Sequence, residues 1–364
     1  MNSCFTAVFV FFLTTTFWIQ STCADIRYHL VDLGSLGGPD SRAFDVNNSG
    51  DVVGFGYIDT EENAHAFMFS KGNLVDIHRY GLKSAARGIN ENGIVIGHTI
   101  NTDHLARATM WTGEQTILLG PTGSESVATA INSTGYITGR FQPNDQNGNW
   151  HAFRYSPSND PETLQDIGTL GGPMSAGQAI NSAGTIVGYS LTSSTDWQQH
   201  AFIWTENNQM QDLGTLGGQH SQANGINDSG IIVGWSTTSD ERQEAFIYSG
   251  SMHGLGRLGG HSSSANSINE LGDIVGWWSQ DGQIRNAFIR LGSDSTMTDL
   301  NELIEPNSGW NLVEAYSIND QGWIVGFGID PAGIDRGFLL VPVPNLNTIS
   351  CIFGGIIFVL RRRR

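Results

Sequence analysis

Residues 226–235 read INDSGIIVGW, residues 318–327 read INDQGWIVGF, and residues 180–189 read INSAGTIVGY. The asparagine of this phrase recurs as Asn47, Asn90, Asn132, Asn181, Asn227, Asn269 and Asn319, at spacings of 43, 42, 49, 46, 42 and 50 residues. Seven copies at such a period define a repeat architecture before any other property of the chain is weighed. The Asn-x-x-Gly inside the phrase is turn chemistry. An asparagine side chain caps its own turn, and a glycine accepts the left-handed backbone that a short hairpin loop requires.

Two further phrases accompany it. One is DLGSLGG at 32–38, DIGTLGG at 166–172, DLGTLGG at 212–218 and GLGRLGG at 254–260. The other is HAFMF from His65, HAFRY from His151, HAFIW from His200, EAFIY from Glu244 and NAFIR from Asn286, with worn copies at Arg107 and Arg336. Each unit holds four short apolar runs between turn signals; in the fourth they are 177–180, 185–189, 200–204 and 209–213. Runs of this length, rich in β-branched and aromatic residues, predict strands, and no stretch of the body sustains a helical period.

Four strands in each of seven units predict an all-β fold, a seven-bladed β-propeller of four-stranded blades. The rival, a β-solenoid, would leave two open ends. Here the seventh unit has only three strands, the last at 337–340, while a spare strand at 27–33 precedes the first LGG phrase. The N-terminal strand is therefore expected to complete the last blade and close the ring, leaving no unpaired seam. The first run of each unit becomes the innermost strand and the run ending in Asp-Leu-Gly the outermost. Both faces of a blade pack on neighbours, which accounts for strands such as HAFIW that are apolar on both sides.

The three linked phrases, taken at 212–218, 226–235 and 244–248, resemble the HAF family of extracellular repeats, and the resemblance covers nearly all of 27–340. It implies an exported repeat protein, often with a sorting tail. It brings no catalytic residue and no established biochemical activity.

The 364 residues carry 18 Lys+Arg against 35 Asp+Glu, a net charge of -17. That acidity argues against a nucleic-acid partner, because phosphate binding needs a basic footprint. The three cysteines, Cys4, Cys23 and Cys351, all lie in terminal apolar segments, so the body has no disulfide framework and no cysteine metal site. Residues 1–24 read as a secretory signal, with an apolar run and small residues up to a cleavage point after Ala24, although no Lys or Arg precedes the run. The repeat body spans 25–342. Residues 343–364 read as a sorting or anchor segment, a short apolar helix closed by Arg361 to Arg364, which would touch the membrane with its arginines on the cytoplasmic side. Its layout resembles the PEP-CTERM sorting signal, which implies an exosortase-like processing enzyme as partner; Val343 stands where that signal usually has Glu. The expected location is the cell surface, outer envelope or extracellular matrix.

Candidate ligand-binding residues follow from the strand plan. The residue after the IVG glycine should sit near the rim that carries the variable loops; these are Phe55, His98, Arg140, Tyr189, Trp235, Trp277 and Phe327. Flat rings beside polar loops suit sugar faces, so Phe55, Tyr189, Trp235, Trp277 and Phe327 are candidates. The competing reading has the same rings filling space between blades. His65, His151 and His200 begin the next strand near the same loops. Ring geometry holds equivalent positions on different blades apart, so these histidines are expected to hydrogen-bond rather than share a metal. Asp45-Val-Asn-Asn-Ser-Gly-Asp51 looks like the start of a calcium loop but lacks the closing glutamate, and no metal is expected there. The variable loops carry Asp59, Glu61, Glu62, Asp145, Asp196, Asp240 and Glu241, but nothing selects two of them as a glycosidase pair. No nucleophile-elbow, His-Glu-x-x-His or cofactor fingerprint occurs. The reading is a non-enzymatic binding module for polysaccharide or an envelope protein. The alternative is a carbohydrate-active hydrolase or lyase on the same scaffold.

Overall fold

The computed structural model describes residues 27–59, 63–143 and 148–343. The predicted signal, with Ala24, and the predicted tail from Pro344 onward lie outside the described residues.

Seven four-stranded antiparallel sheets form the blades. In blade 1 the strands run outward from the axis in chain order, Ser41–Val46, Val52–Tyr57, Ala64–Ser70 and Asn73–Asp76. Blades 2 to 6 repeat this order, and the innermost strands of successive blades pack side by side around the ring. Blade 7 draws on both ends of the chain: Asn311–Ile318, Ile324–Ile329 and Asp335–Val343, then Arg27–Asp32 as its outer strand. The closing register runs from Arg27 opposite Val343 to Asp32 opposite Phe338, so the seven-bladed propeller is closed by its first strand. Strand Asp335–Val343 runs three residues beyond the expected end at Leu340. Past that point Ile324–Ile329 has ended and residues 341–343 pair only with the N-terminal strand. A proline such as Pro342 costs least where the ladder already has a free side. Among the described residues the one helical element is a 3₁₀ turn, Leu300–Glu302.

The repeated phrases are explained at the seams between blades. Every asparagine of the INDSG type is buried. Its Nδ2 donates to the backbone carbonyl of the equivalent asparagine in the next blade: Asn47 to Asn90 (3.2 Å), Asn132 to Asn181 (2.9 Å), and so on to Asn319, which returns to Asn47 at 2.9 Å. The seven bonds make a closed circle around the axis. The same side chain caps its own turn: Asn319 Oδ1 accepts from the N–H groups of Gln321 (3.0 Å) and Trp323 (2.8 Å). No other side chain of this length offers both a donor and an acceptor in a neutral group. The glycine three residues on has positive φ in all seven turns, from 73° to 86°.

A second seam tie uses the serine at the start of the innermost strand. Ser221 Oγ donates to the Gly214 carbonyl (2.5 Å) and accepts from the Ala201 N–H of the previous blade (2.8 Å). Ser41, Ser84, Ser126, Ser175 and Ser263 accept from the preceding blade in the same way. The HAF phenylalanines Phe67, Phe153, Phe202, Phe246, Phe288 and Phe338 have no exposed surface and form the blade interiors. Blade 2 has Thr109 at that position, where its hydroxyl meets Thr99 at 3.0 Å within the core.

Candidate functional site: a bowl on the propeller axis

Each innermost strand carries a β-bulge at one place. In blade 1 the register against the second strand slips between Ala43 and Asp45, leaving Phe44 unpaired. The same slip leaves Arg87, Thr129, Gln178, Asn224, Asn266 and Tyr316 unpaired in the other blades. A bulge re-aims the extra side chain, and here all seven turn to the axis and line the cavities there. The bulge also explains the glycine of IVG. A Cβ on Gly54, Gly97, Gly139, Gly188, Gly234, Gly276 or Gly326 would collide with the innermost strand's carbonyl, for example that of Gln222 opposite Gly234.

Above this ring, on the side of the loops between second and third strands, lies a bowl of about 550 Å³, within the range of about 300–1,000 Å³ usual for small-ligand sites. Its walls differ. Blades 2 and 3 supply Arg87 and Arg140, whereas blades 5 and 6, across the ring, supply Trp235 and Trp277 with the amides of Gln222, Asn224 and Asn266. Below the bulge, Val46, Ile89, Ile131, Ile180, Ile226, Ile268 and Ile318 occupy one equivalent position, immediately before the ring asparagine. Ile131 and Ile226 line both the space beneath the bowl and the opposite mouth. That mouth is acidic. Glu91, Asp228, Glu270 and Asp320 line it, and each accepts a backbone N–H from the preceding blade, as Asp228 does from Ser182 at 2.7 Å.

The bowl's electrostatics run the other way. Arg285 pairs with Glu314 at 2.8 Å and lies 4.0 Å over the Trp277 ring. Arg42 pairs with Asp335 at 3.2 Å and covers Phe327 at 4.1 Å. Arg87 and Arg140 have no carboxylate partner among the described residues. Each instead stacks on an aromatic ring, Arg87 over Phe44 at 4.3 Å and Arg140 over Trp150 at 4.6 Å. Arg87 reaches water in the channel yet is ringed by protein, and this enclosure lowers its pKa, with Arg140 and Arg42 acting in the same direction. It remains a cation. Burial, then the charges of Arg87 and Arg140, hold His98 down at about 4, and its Nδ1 is buried without a partner. Burial raises the Glu314 carboxyl, and Arg285 works against that rise.

The residues expected near the rim divide into groups. Arg140, Trp235 and Trp277 line the bowl. Phe55 and Phe327 stand just behind it in an aromatic cluster: Phe44 lies 5.7 Å from Phe55 and 5.1 Å from Tyr316, which stacks on Phe327 at 5.9 Å. Tyr189 is half-buried and His98 lies near the two arginines, both on second strands but outside the bowl lining. His65, His151 and His200 sit on separate blades. Each bonds the Asp at the end of its own blade's outer strand, Asp76, Asp166 and Asp212, at 2.7–2.8 Å. Those aspartates also cap the following turn, as Asp212 does for the Gly214 N–H. The HAF histidine and the DLG aspartate are thus two halves of one clip. Where Gly254 replaces the aspartate, Glu244 replaces the histidine and accepts the Gly256 N–H instead. Asp45, first residue of the calcium-like stretch, turns inward to accept from the Ile89 N–H and the Ser317 hydroxyl.

Sequence reasoning missed the bulge position. Its signal was present: AFDVN, ARGIN, ATAIN, GQAIN, ANGIN, ANSIN and AYSIN keep every letter small or fixed except the second.

A family model described as a protein of unknown function (DUF3466) matches residues 173–332. No curated protein matches the chain. Among solved structures, the β-propeller domain of the Trilobed protease from Pyrococcus furiosus is similar at TM-score 0.52 and 11% identity, over 84% of this chain and 98% of that one. That propeller is described as having an open velcro topology; here Arg27–Asp32 closes the ring. A puromycin-hydrolyzing peptidase of Mycobacterium tuberculosis is similar at TM-score 0.52 and 12% identity, over 85% of this chain and 56% of that one. The Aleuria aurantia lectin, in complex with a fucosylated sugar, aligns at TM-score 0.39 and 10% identity, over 83% and 91% of the two chains. At such identities the likeness is one of fold alone.

Proposed function

We propose that this protein is an exported, non-enzymatic carbohydrate-binding module of the cell envelope or matrix, and that the bowl is its binding site. One observation carries the reading. Seven blades built on one plan present varied side chains at the bulge position that faces the bowl, and two tryptophans stand beside amides there. Packing alone would repeat that position as it repeats its neighbours. Flat apolar rings with adjacent amide donors and acceptors suit a sugar, whose faces are apolar and whose edge is hydroxyl. Export rests on the signal-like 1–24 and the HAF resemblance; the tail and its exosortase-like partner belong to the same proposal.

The test is a glycan and polysaccharide binding screen with the purified chain, followed by Trp235→Ala. Trp235 faces the bowl and is only half-buried, so its loss should weaken binding at least tenfold with the melting temperature nearly unchanged. A screen with no sugar bound, or binding indifferent to Trp235, would sink the proposal. Release of reducing ends from a bound polysaccharide would move the protein to the hydrolase or lyase class.

A further inference from the structure

Resting on that reading, we infer that the bowl selects a carboxylate-bearing sugar, a uronic acid presented at the end of an oligosaccharide, with Arg87 and Arg140 as the carboxylate clamp opposite the Trp235–Trp277 wall.

The chain is strongly acidic, at -17, yet three guanidinium groups, Arg87, Arg140 and Arg285, line the bowl and a fourth, Arg42, lies beside it over Phe327. Two are accounted for inside the protein: Arg285 by Glu314 and Arg42 by Asp335. Among the described residues Glu314 is the one carboxylate lining the bowl, and Asn266 Nδ2 donates to it at 3.0 Å as well. Among the described residues Arg87 and Arg140 have aromatic stacking as their only side-chain partner. Stacking occupies the face of a guanidinium and leaves its edge, the five-donor fork that matches a carboxylate, available to an anion. Two cations lining one bowl repel each other, and an anion bound between them would remove that repulsion. A structural role would have placed an acid at one of the neighbouring lining positions, which are instead Val127, Thr129 and Gln178.

Geometry gives the orientation. The clamp belongs to blades 2 and 3 and the tryptophans to blades 5 and 6, so a sugar ring lying on the half-buried Trp235 indole would direct its carboxylate across the axis. Net charge favours end-on recognition. A long polyanion would have to pass the acidic surface along its whole length, whereas a single terminal carboxylate reaches the clamp beyond the screening length of about 8 Å at physiological salt. The acidic mouth beyond the isoleucine positions gives an anion no favourable path through the axis.

The full-length chain would be titrated with a short oligogalacturonate and with its methyl ester, which keeps the sugar and removes the charge. The free acid is expected to bind at least tenfold tighter than the ester. In Arg87→Gln/Arg140→Gln that preference should vanish while the weak binding of the ester persists. A single Arg140→Gln, whose position is half-buried, serves if the double variant melts early; it should lose most of the preference. Equal binding of acid and ester by the wild type overturns the clamp and leaves the carbohydrate reading standing. Binding of neither, with a blank glycan screen, overturns both. A preference that survives both arginine variants places the anion elsewhere and also overturns the clamp.

Discussion

Asn47 and Phe44 lie three residues apart on the innermost strand of blade 1, and across the seven blades their positions follow opposite rules. The first is asparagine every time. The second is Phe, Arg, Thr, Gln, Asn, Asn and Tyr. The first side chain bonds the next blade's backbone and its own turn, so any replacement breaks both. The second stands out of register on a bulge and meets the channel, so its identity is left free by the scaffold. Repetition therefore marks the seams, and variation marks the surface available to a ligand. Thr129, Asn224 and Asn266 partly bridge the two cases: each lines the bowl and also donates to a carbonyl of the next blade, at 2.7, 2.8 and 2.9 Å.

The largest test of this contrast is Asn319→Ala, at the seam where blade 7 meets blade 1. It removes one buried donor and leaves two partly buried N–H groups without their acceptor. The expected loss is on the order of 2–4 kcal/mol in urea unfolding. A loss below about 0.5 kcal/mol, the scale of ordinary surface changes, would mean the asparagine circle holds nothing. Next comes Gly234→Ala, which sets a Cβ against the Gln222 carbonyl and the Phe246 ring. It should cost about 1–3 kcal/mol, as overpacking usually does; an unchanged midpoint would refute the account of the IVG glycine.

His98 gives a smaller, pH-dependent effect. Its folded value of about 4 lies below the ordinary 6.5, so on acidification the unfolded chain takes up the proton first. The stability it contributes is complete above pH 6.5 and is lost progressively as pH falls to 4. Asp45 and Glu314, both raised by burial, act with the opposite sign, so the informative quantity is the difference between variants. Relative to wild type, His98→Gln should gain melting temperature between pH 7 and pH 4. A difference that stays flat with pH would show that His98 is not held neutral. The smallest effect belongs to the varied position itself. Gln178→Ala should shift stability by less than about 0.5 kcal/mol, since among the described residues no hydrogen bond depends on its side chain. A large loss there would erase the distinction between seam and bowl.

The blade number, the four strands per blade and the closure by the first strand were all legible, because each rests on local signals: turn asparagines, left-handed glycines and β-rich runs at a fixed period. Trp235 and Trp277 were legible as candidates, and Arg140 as a rim position, because strand order places the residue after the glycine towards one face. Their division from Phe55, Tyr189 and Phe327 was not, since it depends on the side chain opposite. Trp277 has small Ser264 across from it and lines the bowl, whereas Phe55 has Arg42 across from it and the same guanidinium lies over Phe327.

By itself the sequence determined the repeat, the ring and its closure, since every unit carries the same instructions within a few residues. The tertiary structure alone decided what the ring encloses. A bulge is a register event between two strands, visible only when both are paired, and it converts an inconspicuous variable letter into a channel-facing side chain. The meeting of Arg87 with Arg140, 53 residues on in the chain, and of both with two tryptophans across the axis, exists only once seven blades stand in a circle.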